Sequence, residues 1–291
     1  MKVLLTGSNG QVGWALVQQL SQQAIDFVAF NRQELDITHQ QAVMQAVMAY
    51  RPDVIINAAA HTAVDKAESE PDLAFAINQQ GAGYLAEAAQ QVGAALLHIS
   101  TDYVFDGQAS QPYGENDATA PQGVYGQSKL AGEQAVLAAC SRSIVLRTAW
   151  VFGEHGHNFV KTMLRLGRER DGLSIVGDQR GAPTYAGDIA DALIQIAQHI
   201  TQGKATEYGV YHFSGSPYVS WYQFAEAIFQ HAKQQGILPT IPQLNAITTA
   251  EYPTPAKRPA NSCLQLSKIQ QAFAIAPSDW QHALTRLADY V

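Results

Sequence analysis

The chain has 291 residues, 47% of them hydrophobic and 15% charged, an ordinary globular composition with length for one large α/β domain and a smaller annex. A formal charge of −7 leaves no basic surplus for a nucleic-acid backbone, although a nucleotide ligand needs only a few local donors. The two cysteines, Cys140 and Cys263, stand apart from any metal-type spacing and read as buried apolar thiols, not as a disulfide or a zinc site.

The segment Met1–Gly7 reads as a short strand entering a glycine turn, not as a secretion signal. No apolar run approaches the roughly 18 residues of a membrane span, so a cytoplasmic protein with no membrane partner is expected. The turn has the spacing Gly7-x-x-Gly10-x-x-Gly13. Gly7 allows a tight turn, Gly10 lets a pyrophosphate approach the backbone, and Gly13 lets the following helix pack close to the sheet. That helix, Gln11–Gln22, offers its N-terminal N–H groups and dipole to an anion. The next strand, Phe27–Phe30, ends in Asn31-Arg32 with no carboxylate at its tip. An acid there would take the adenine ribose 2′-hydroxyl, whereas an arginine suits a 2′-phosphate, so Arg32 tilts the cofactor to NADPH. Thr38 and Gln41 then have the spacing of a capping box for a helix over Gln40–Tyr50.

Further apolar runs at Val54–Asn57, Ala95–Ser100 and Ile144–Arg147 alternate with helical stretches at Leu73–Val92 and Tyr125–Ala139. Strands alternating with helices give right-handed βαβ units and an α/β, doubly wound parallel sheet of Rossmann type. Residues 1–150 form the dinucleotide-binding domain on this reading. Asp65, Lys66, Glu68 and Glu70 read as a solvated helix start. Past residue 150 the rhythm changes. Helices are expected at His157–Arg170, Asp188–His199 and Ser220–Gln234, the last with Trp221, Phe224, Ala225 and Ile228 on one side. Short strands fall at Ile175-Val176 and Val210–Phe213, and the proline-punctuated stretch 239–259 reads as irregular. A helix over Ser278–Tyr290, opened by a Ser278/Gln281 capping box, closes the chain. Residues 151–291 read as a smaller, mixed α/β, mainly substrate-binding part interleaved with the sheet.

Tyr125 and Lys129 stand four apart on one expected helix face, a phenol beside an ammonium. A free tyrosine has a pKa of about 10, and a neighbouring cation brings it toward the working range. A bare Tyr-x-x-x-Lys reads as a surface pair. Behind a strand–glycine turn–helix it points to a nicotinamide-dependent enzyme acting on a carbonyl or an alcohol.

Gly7–Gly13, Asn57-Ala58-Ala59-Ala60, Ser100-Thr101 and Tyr125/Lys129 together resemble the extended short-chain dehydrogenase/reductase superfamily. Longer strings narrow the resemblance to the dTDP-4-dehydrorhamnose reductase family: Asn57 through Glu68, Ser100 through Gly107, Val124-Tyr125-Gly126, Arg147 through Phe152, Asn158-Phe159-Val160, Asp178-Gln179, Gly181 through Thr184, and Thr254 through Pro259. The resemblance implies that NADPH, with NADH also accepted, reduces the C4 ketone of dTDP-4-dehydro-6-deoxy-L-mannose to dTDP-L-rhamnose. It implies that Tyr125 donates the proton, that Lys129 holds the nicotinamide ribose and lowers the Tyr125 pKa, and that Thr101 bonds the substrate oxygen. Gly10, Gln11 and Val12 would contact the pyrophosphate, Asp36 and Ile37 the adenine, and Ala60, His61 and Thr62 the nicotinamide side. Asp102, Tyr103 and Trp150 would touch the sugar, and Asn158, Thr184 and Arg258 would face the thymidine diphosphate.

Some members are dimers bridged by a metal through acids on the first helix and near the Ala-Pro-Thr segment. Here the first helix reads Trp14-Ala15-Leu16-Val17 and the later segment keeps only Asp188, so no metal is expected and the choice between monomer and weak homodimer stays open. Two alternatives remain. One is a nucleotide-sugar epimerase or dehydratase on the same scaffold, the dehydratase being disfavoured by Asp102-Tyr103 where an Asp-Glu pair is needed. The other is a non-catalytic dinucleotide-binding subunit, for which the intact Thr101/Tyr125/Lys129 trio has no use.

Overall fold

The computed structural model describes residues 1–291. Strand β1 (Lys2–Thr6) passes through the glycine turn into α1 (Gln11–Gln22), and β2 (Asp26–Phe30) with α2 (Gln40–Tyr50) repeats the unit. Next come β3 (Val54–Asn57), α3 (Val64–Ala67) and α4 (Pro71–Phe75), which runs through a π-helical turn at Ala76–Gly81 into α5 (Ala82–Val92). The regular part ends with β4 (Ala95–Thr101), α6 (Val124–Ala139) and β5 (Ser143–Thr148). Shorter pieces follow: β6 (Val151–Phe152), α7 (Phe159–Glu169), β7 (Gly172–Val176), β8 (Arg180–Gly181) and β9 (Thr184–Tyr185). Then come α8 (Ala186–Thr201), β10 (Gly209–His212), β11 (Val219–Ser220), α9 (Trp221–Gln234), β12 (Gln243–Ile247), α10 (Ser267–Phe273) and α11 (Trp280–Ala283).

Six strands pair in parallel in the order β10-β5-β4-β3-β1-β2. A parallel sheet is covered on both faces, which is why its strands are apolar runs without alternation. Val3, Leu5, Ile56 and Leu97 pack with α1 and α8 on one face, while Leu4, Ile55, Leu96 and Val145 pack with α2, α5 and α6 on the other. Each such side chain, fully buried, contributes about 1.5–3 kcal/mol. The strand order reverses between β1 and β3, and ligands bind in such sheets at the crevice outside the carboxyl ends there. A separate core, built on Phe152, Leu164, Phe224, Phe229, Trp280 and Leu284, holds the later elements together. Strand β10 nevertheless joins the main sheet beside β5, and α8 contributes to its core, so the second half is interleaved with the first.

Three local expectations are corrected. Thr38 does not cap α2: its hydroxyl bonds Asp36 Oδ1, and the N-cap is His39 with no side-chain bond. Asp36, two residues back, offers a local turn that competes for the same groups. The stretch 239–259 is not wholly irregular, because Gln243–Ile247 pairs in parallel with β7 and satisfies that strand's edge. Ser278 does not cap a closing helix either. It donates to Asp188, while Asp279 accepts the His282 N–H at 3.0 Å, and the helix gives way at Leu284 to 3₁₀ turns broken at Arg286. A capping box does form on α9, where Ser220 and Gln223 satisfy each other's backbone N–H groups.

Candidate active site

The glycine turn lies at the carboxyl end of β1, beside the point where the strand order reverses. Gly7 adopts φ +79°, and a Cβ there would fall 2.5 Å from the Ala59 nitrogen. A Cβ on Gly13 would fall 2.0 Å from the Gly7 carbonyl oxygen, so only glycine lets α1 approach the turn. Helix α1 carries no side-chain cap and no acid in its first turn, which leaves its N–H groups for a ligand. They open on a groove of about 350 Å³ lined by Gly7, Gly10, Arg32, Asp36, Ile37, Ala60, His61 and Thr62. Val12 is buried in the core, so only its backbone can serve an anion. The Arg32 side chain is 69% exposed and its one ion pair, with Asp36, is long at 3.9 Å, leaving its guanidinium free for a phosphate. The Asp36 carboxylate is turned into its own loop, on the Thr38 N–H and hydroxyl. Burial raises its pKa, but these bonds and the Arg32 charge hold it below the usual value. His61 has a buried Nδ1 without a partner. The Asn78 amide clasps the His61 backbone, accepting its N–H at 2.8 Å and donating to its carbonyl at 3.1 Å, and also donates to Ser128 on α6. Asn78 sits in the π-helical turn, a feature often found at functional sites. An uncapped helix start, a glycine cradle and a free arginine at the far end fit a phosphorylated dinucleotide.

Helix α6 places Tyr125 and Lys129 on one face. Its first turn is capped from outside: Glu68 accepts the Val124 N–H at 2.9 Å. Gly126 lets the helix press on the Tyr103 carbonyl, and Gly132 on the Asn78 carbonyl, where a Cβ would stand at 2.2 and 2.0 Å. Thr101 ends β4 beside Tyr125. Its hydroxyl donates to Asp102 Oδ1 at 3.0 Å, and the Tyr103 ring meets Tyr125 edge-on at 5.4 Å. Burial pushes the Tyr125 phenol above its ordinary pKa, against the pull of the Thr101 hydroxyl. Lys129 does not bring it down as expected, because Nζ is turned away to the Ile99 carbonyl at 2.7 Å. Lys129 is only 2% exposed, and burial depresses its ammonium to about 8 despite the nearby Glu133. Burial likewise raises the Asp102 carboxyl to about 6, against bonds from Ser262 and Thr101.

On the far side, Arg258 donates to Tyr103 Oη at 3.1 Å and to Asp65 Oδ2 at 2.6 Å. Asp65, Glu68 and Glu70 are therefore not a merely solvated helix start. Asp65 binds Arg258, Glu68 caps α6, and Glu70 lies 3.4 Å from the His61 ring. Trp150 adopts φ +49°, a conformation rare for a bulky residue, and stacks on Trp221 with ring centroids 3.5 Å apart. Gly181 makes room for it, since a Cβ there would lie 2.5 Å from the indole. Two residues expected to face a substrate are turned inward. Asn158 caps α7 and donates to Gln11 and the Gly153 carbonyl, while the fully buried Thr184 hydroxyl bonds the Ala182 carbonyl and the Gly215 N–H. Asn78, Trp221 and Asp65 support the site without having been singled out for it. Only the acidic run 65–70 gave a sequence signal, that of a helix start. Nothing local tells Asn78 or Trp221 from ordinary helix residues.

The family model for the RmlD substrate binding domain matches residues 1–291. The chain is 54% identical over 290 residues to dTDP-4-dehydrorhamnose reductase of Aggregatibacter actinomycetemcomitans, covering 99% of each chain. It is 45% identical over 291 residues to the dTDP-4-dehydrorhamnose reductase of Escherichia coli K12, covering 99% of this chain and 97% of that one. A crystal structure of dTDP-4-dehydrorhamnose reductase from Bacillus anthracis in complex with NADP superposes with a TM-score of 0.91 at 40% identity, covering 100% of this chain and 99% of that one.

Proposed function

The chain belongs to the RmlD substrate-binding-domain family, and on that footing we propose that it is an NADPH-dependent dTDP-4-dehydrorhamnose reductase. It reduces the C4 ketone of dTDP-4-dehydro-6-deoxy-L-mannose to dTDP-L-rhamnose, in the cytoplasm. The observation that carries this reading is the meeting of the anion-accepting glycine turn with the half-buried Tyr125 and the buried Thr101 and Lys129 at the carboxyl edge of one sheet.

Bound in the groove, the dinucleotide supplies the hydride for the ketone carbon. Tyr125 gives its phenolic proton to the ketone oxygen as negative charge develops there. Burial keeps that phenol protonated at neutral pH, the form a donor must hold. The Thr101 hydroxyl fixes the oxygen against Tyr125. Lys129, turning from the Ile99 carbonyl to the ribose hydroxyls, brings its charge toward the phenolate that Tyr125 leaves behind. Gly7, Gly10, Gly13 and the backbone of Gln11 and Val12 hold the pyrophosphate, and Arg32 the 2′-phosphate. Ile37 and the Asp36 backbone border the adenine, and Ala60, His61 and Thr62 the nicotinamide. Asp102, Tyr103 and Trp150 contact the sugar and Arg258 the diphosphate, while Asn158 and Thr184 support this end from within. On this reading residues 1–150 hold the dinucleotide and also give Thr101, Asp102, Tyr103 and Trp150 to the sugar, while residues 151–291, read as mainly substrate-binding, add Arg258 at the diphosphate.

The test is loss of reduced-nicotinamide absorbance with purified protein, NADPH and freshly generated dTDP-4-dehydro-6-deoxy-L-mannose. Stoichiometric oxidation is expected. Tyr125→Phe should lower turnover by about 10²–10⁴ while leaving the NADPH dissociation constant within roughly twofold. Tight NADPH binding with no oxidation would shift the reading to a dinucleotide-binding subunit.

A further inference from the structure

Thr6, Asn57 and His98 are register neighbours on β1, β3 and β4, a polar row across the middle of the sheet, and none is more than 1% exposed. The bonding of this row fixes where its protons lie. Asn57 Oδ1 accepts the Ala59 backbone N–H at 3.0 Å and the Thr6 hydroxyl at 2.8 Å. A main-chain N–H can only donate, so the amide cannot be turned the other way. Asn57 Nδ2 therefore donates to His98 Nδ1, at 3.0 Å. Burial, and next the Lys129 charge, hold the imidazole well below its usual pKa, so it is neutral. A neutral imidazole that accepts at Nδ1 carries its proton on Nε2. That nitrogen lies 3.5 Å from Lys129 Nζ, so an N–H faces an ammonium and no hydrogen bond can form between them. The Ile99 carbonyl is the one close acceptor that Lys129 has.

We propose that His98 is a positioning residue for Lys129: locked as the Nε2–H tautomer by Asn57, it denies the ammonium an acceptor behind it and leaves it free to turn toward the cofactor ribose. The opposite tautomer would offer Nε2 as an acceptor and hold the lysine against the sheet. Lys129 shares its helix face with Tyr125 and Glu133, and His98 stands against it from β4. Arg147 is spent on Glu133, at 2.6 and 2.8 Å. Nζ makes no hydrogen bond to Tyr125 or Glu133, and the Ile99 carbonyl is the acceptor it uses. The effect on turnover rests on the reductase reading, whereas the tautomer and its effect on NADPH binding do not.

The experiment is ring ¹⁵N–¹H correlation on ¹⁵N-histidine-labelled protein without ligands, with His98 assigned by contacts to Lys129 and Ile99. The expected result is a proton on Nε2, none on Nδ1, and no titration from about pH 5.5 to about pH 9. In Asn57→Asp the carboxylate can only accept, which should move the proton to Nδ1. NADPH should then bind on the order of tenfold more weakly, and the alkaline limb of kcat/KM should move up by about one pH unit, as an ammonium with a new acceptor demands. A wild-type His98 protonated on Nδ1 overturns the proposal without recourse to any variant. So does a flipped tautomer in Asn57→Asp with unchanged NADPH affinity and pH profile. If neither protein oxidises NADPH, the reductase reading fails, and the tautomer and NADPH affinities still judge the role of His98.

Discussion

The two halves of the molecule place their functional groups by different means. In the first, Gly7, Asn57, Thr101 and Arg147 stand at or next to the carboxyl ends of parallel strands, with His98 inside β4, and sheet register sets their spacing. In the second, single tethers do the work. Trp221 and Gly181 set Trp150, Asp65 holds Arg258, and Ser278 joins Asp188. A register cannot change at one position without moving a whole strand, whereas a tether can be altered alone. On the proposed function, proton and hydride chemistry falls to strand-end groups whose register resists change, and the Arg258 contact to a tethered group that tolerates it.

The buried pair Glu133–Arg147 offers the sharpest way to break this contrast. Its side chains are 2% and 4% exposed, and the Ser100 hydroxyl completes the carboxylate's bonds at 2.6 Å. Arg147→Met strands a buried charge and should cost about 3–5 kcal/mol in urea denaturation. Removing the exposed Arg165–Glu169 pair on α7 should cost at most about 0.5 kcal/mol. Equal costs would remove the distinction between a rigid sheet edge and a tolerant periphery.

Lys129 comes next. Its pKa falls from 10.5 in an unfolded chain to about 8 in the folded one, chiefly by burial. Between those values the unfolded chain binds more protons, so this group's contribution to stability rises with pH from about 8 to about 10.5 and is flat below. Its full span is on the order of 3 kcal/mol. Denaturation of wild type and Lys129→Met across that window should show the difference; parallel curves would mean that the lysine keeps its charge.

The division of labour predicts crossed binding effects. Arg258→Ala should raise KM for the nucleotide sugar by roughly tenfold to a hundredfold and leave the NADPH dissociation constant unchanged. Arg32→Ala should weaken NADPH by roughly tenfold and leave NADH and the sugar alone. Fluorescence titration with both cofactors, beside steady-state kinetics, separates the two; uncrossed effects would merge the two halves of the site. A small effect belongs to Ser220→Ala, which removes the α9 cap and should cost about 1 kcal/mol of stability by thermal unfolding, with turnover unchanged.

The βαβ rhythm, the glycine turn and the Tyr125/Lys129 pair are legible in the residues alone. Strand Val54–Asn57 and helix Gln11–Gln22 stand where their residues placed them. Such elements are legible because their causes are local: apolar runs bounded by turns, and side chains repeating at helical spacing. Long-range packing sets the pairing of Asp65 with Arg258, the inward turn of Asn158 and Thr184, and the strand at Gln243–Ile247. It also sets where Lys129 rests. A partner 193 positions away along the chain, as Arg258 is from Asp65, leaves no periodicity to read. The resting bond of a buried ammonium and the proton position on a buried imidazole depend on which groups on neighbouring strands already donate, and that is settled only when the strands come into register.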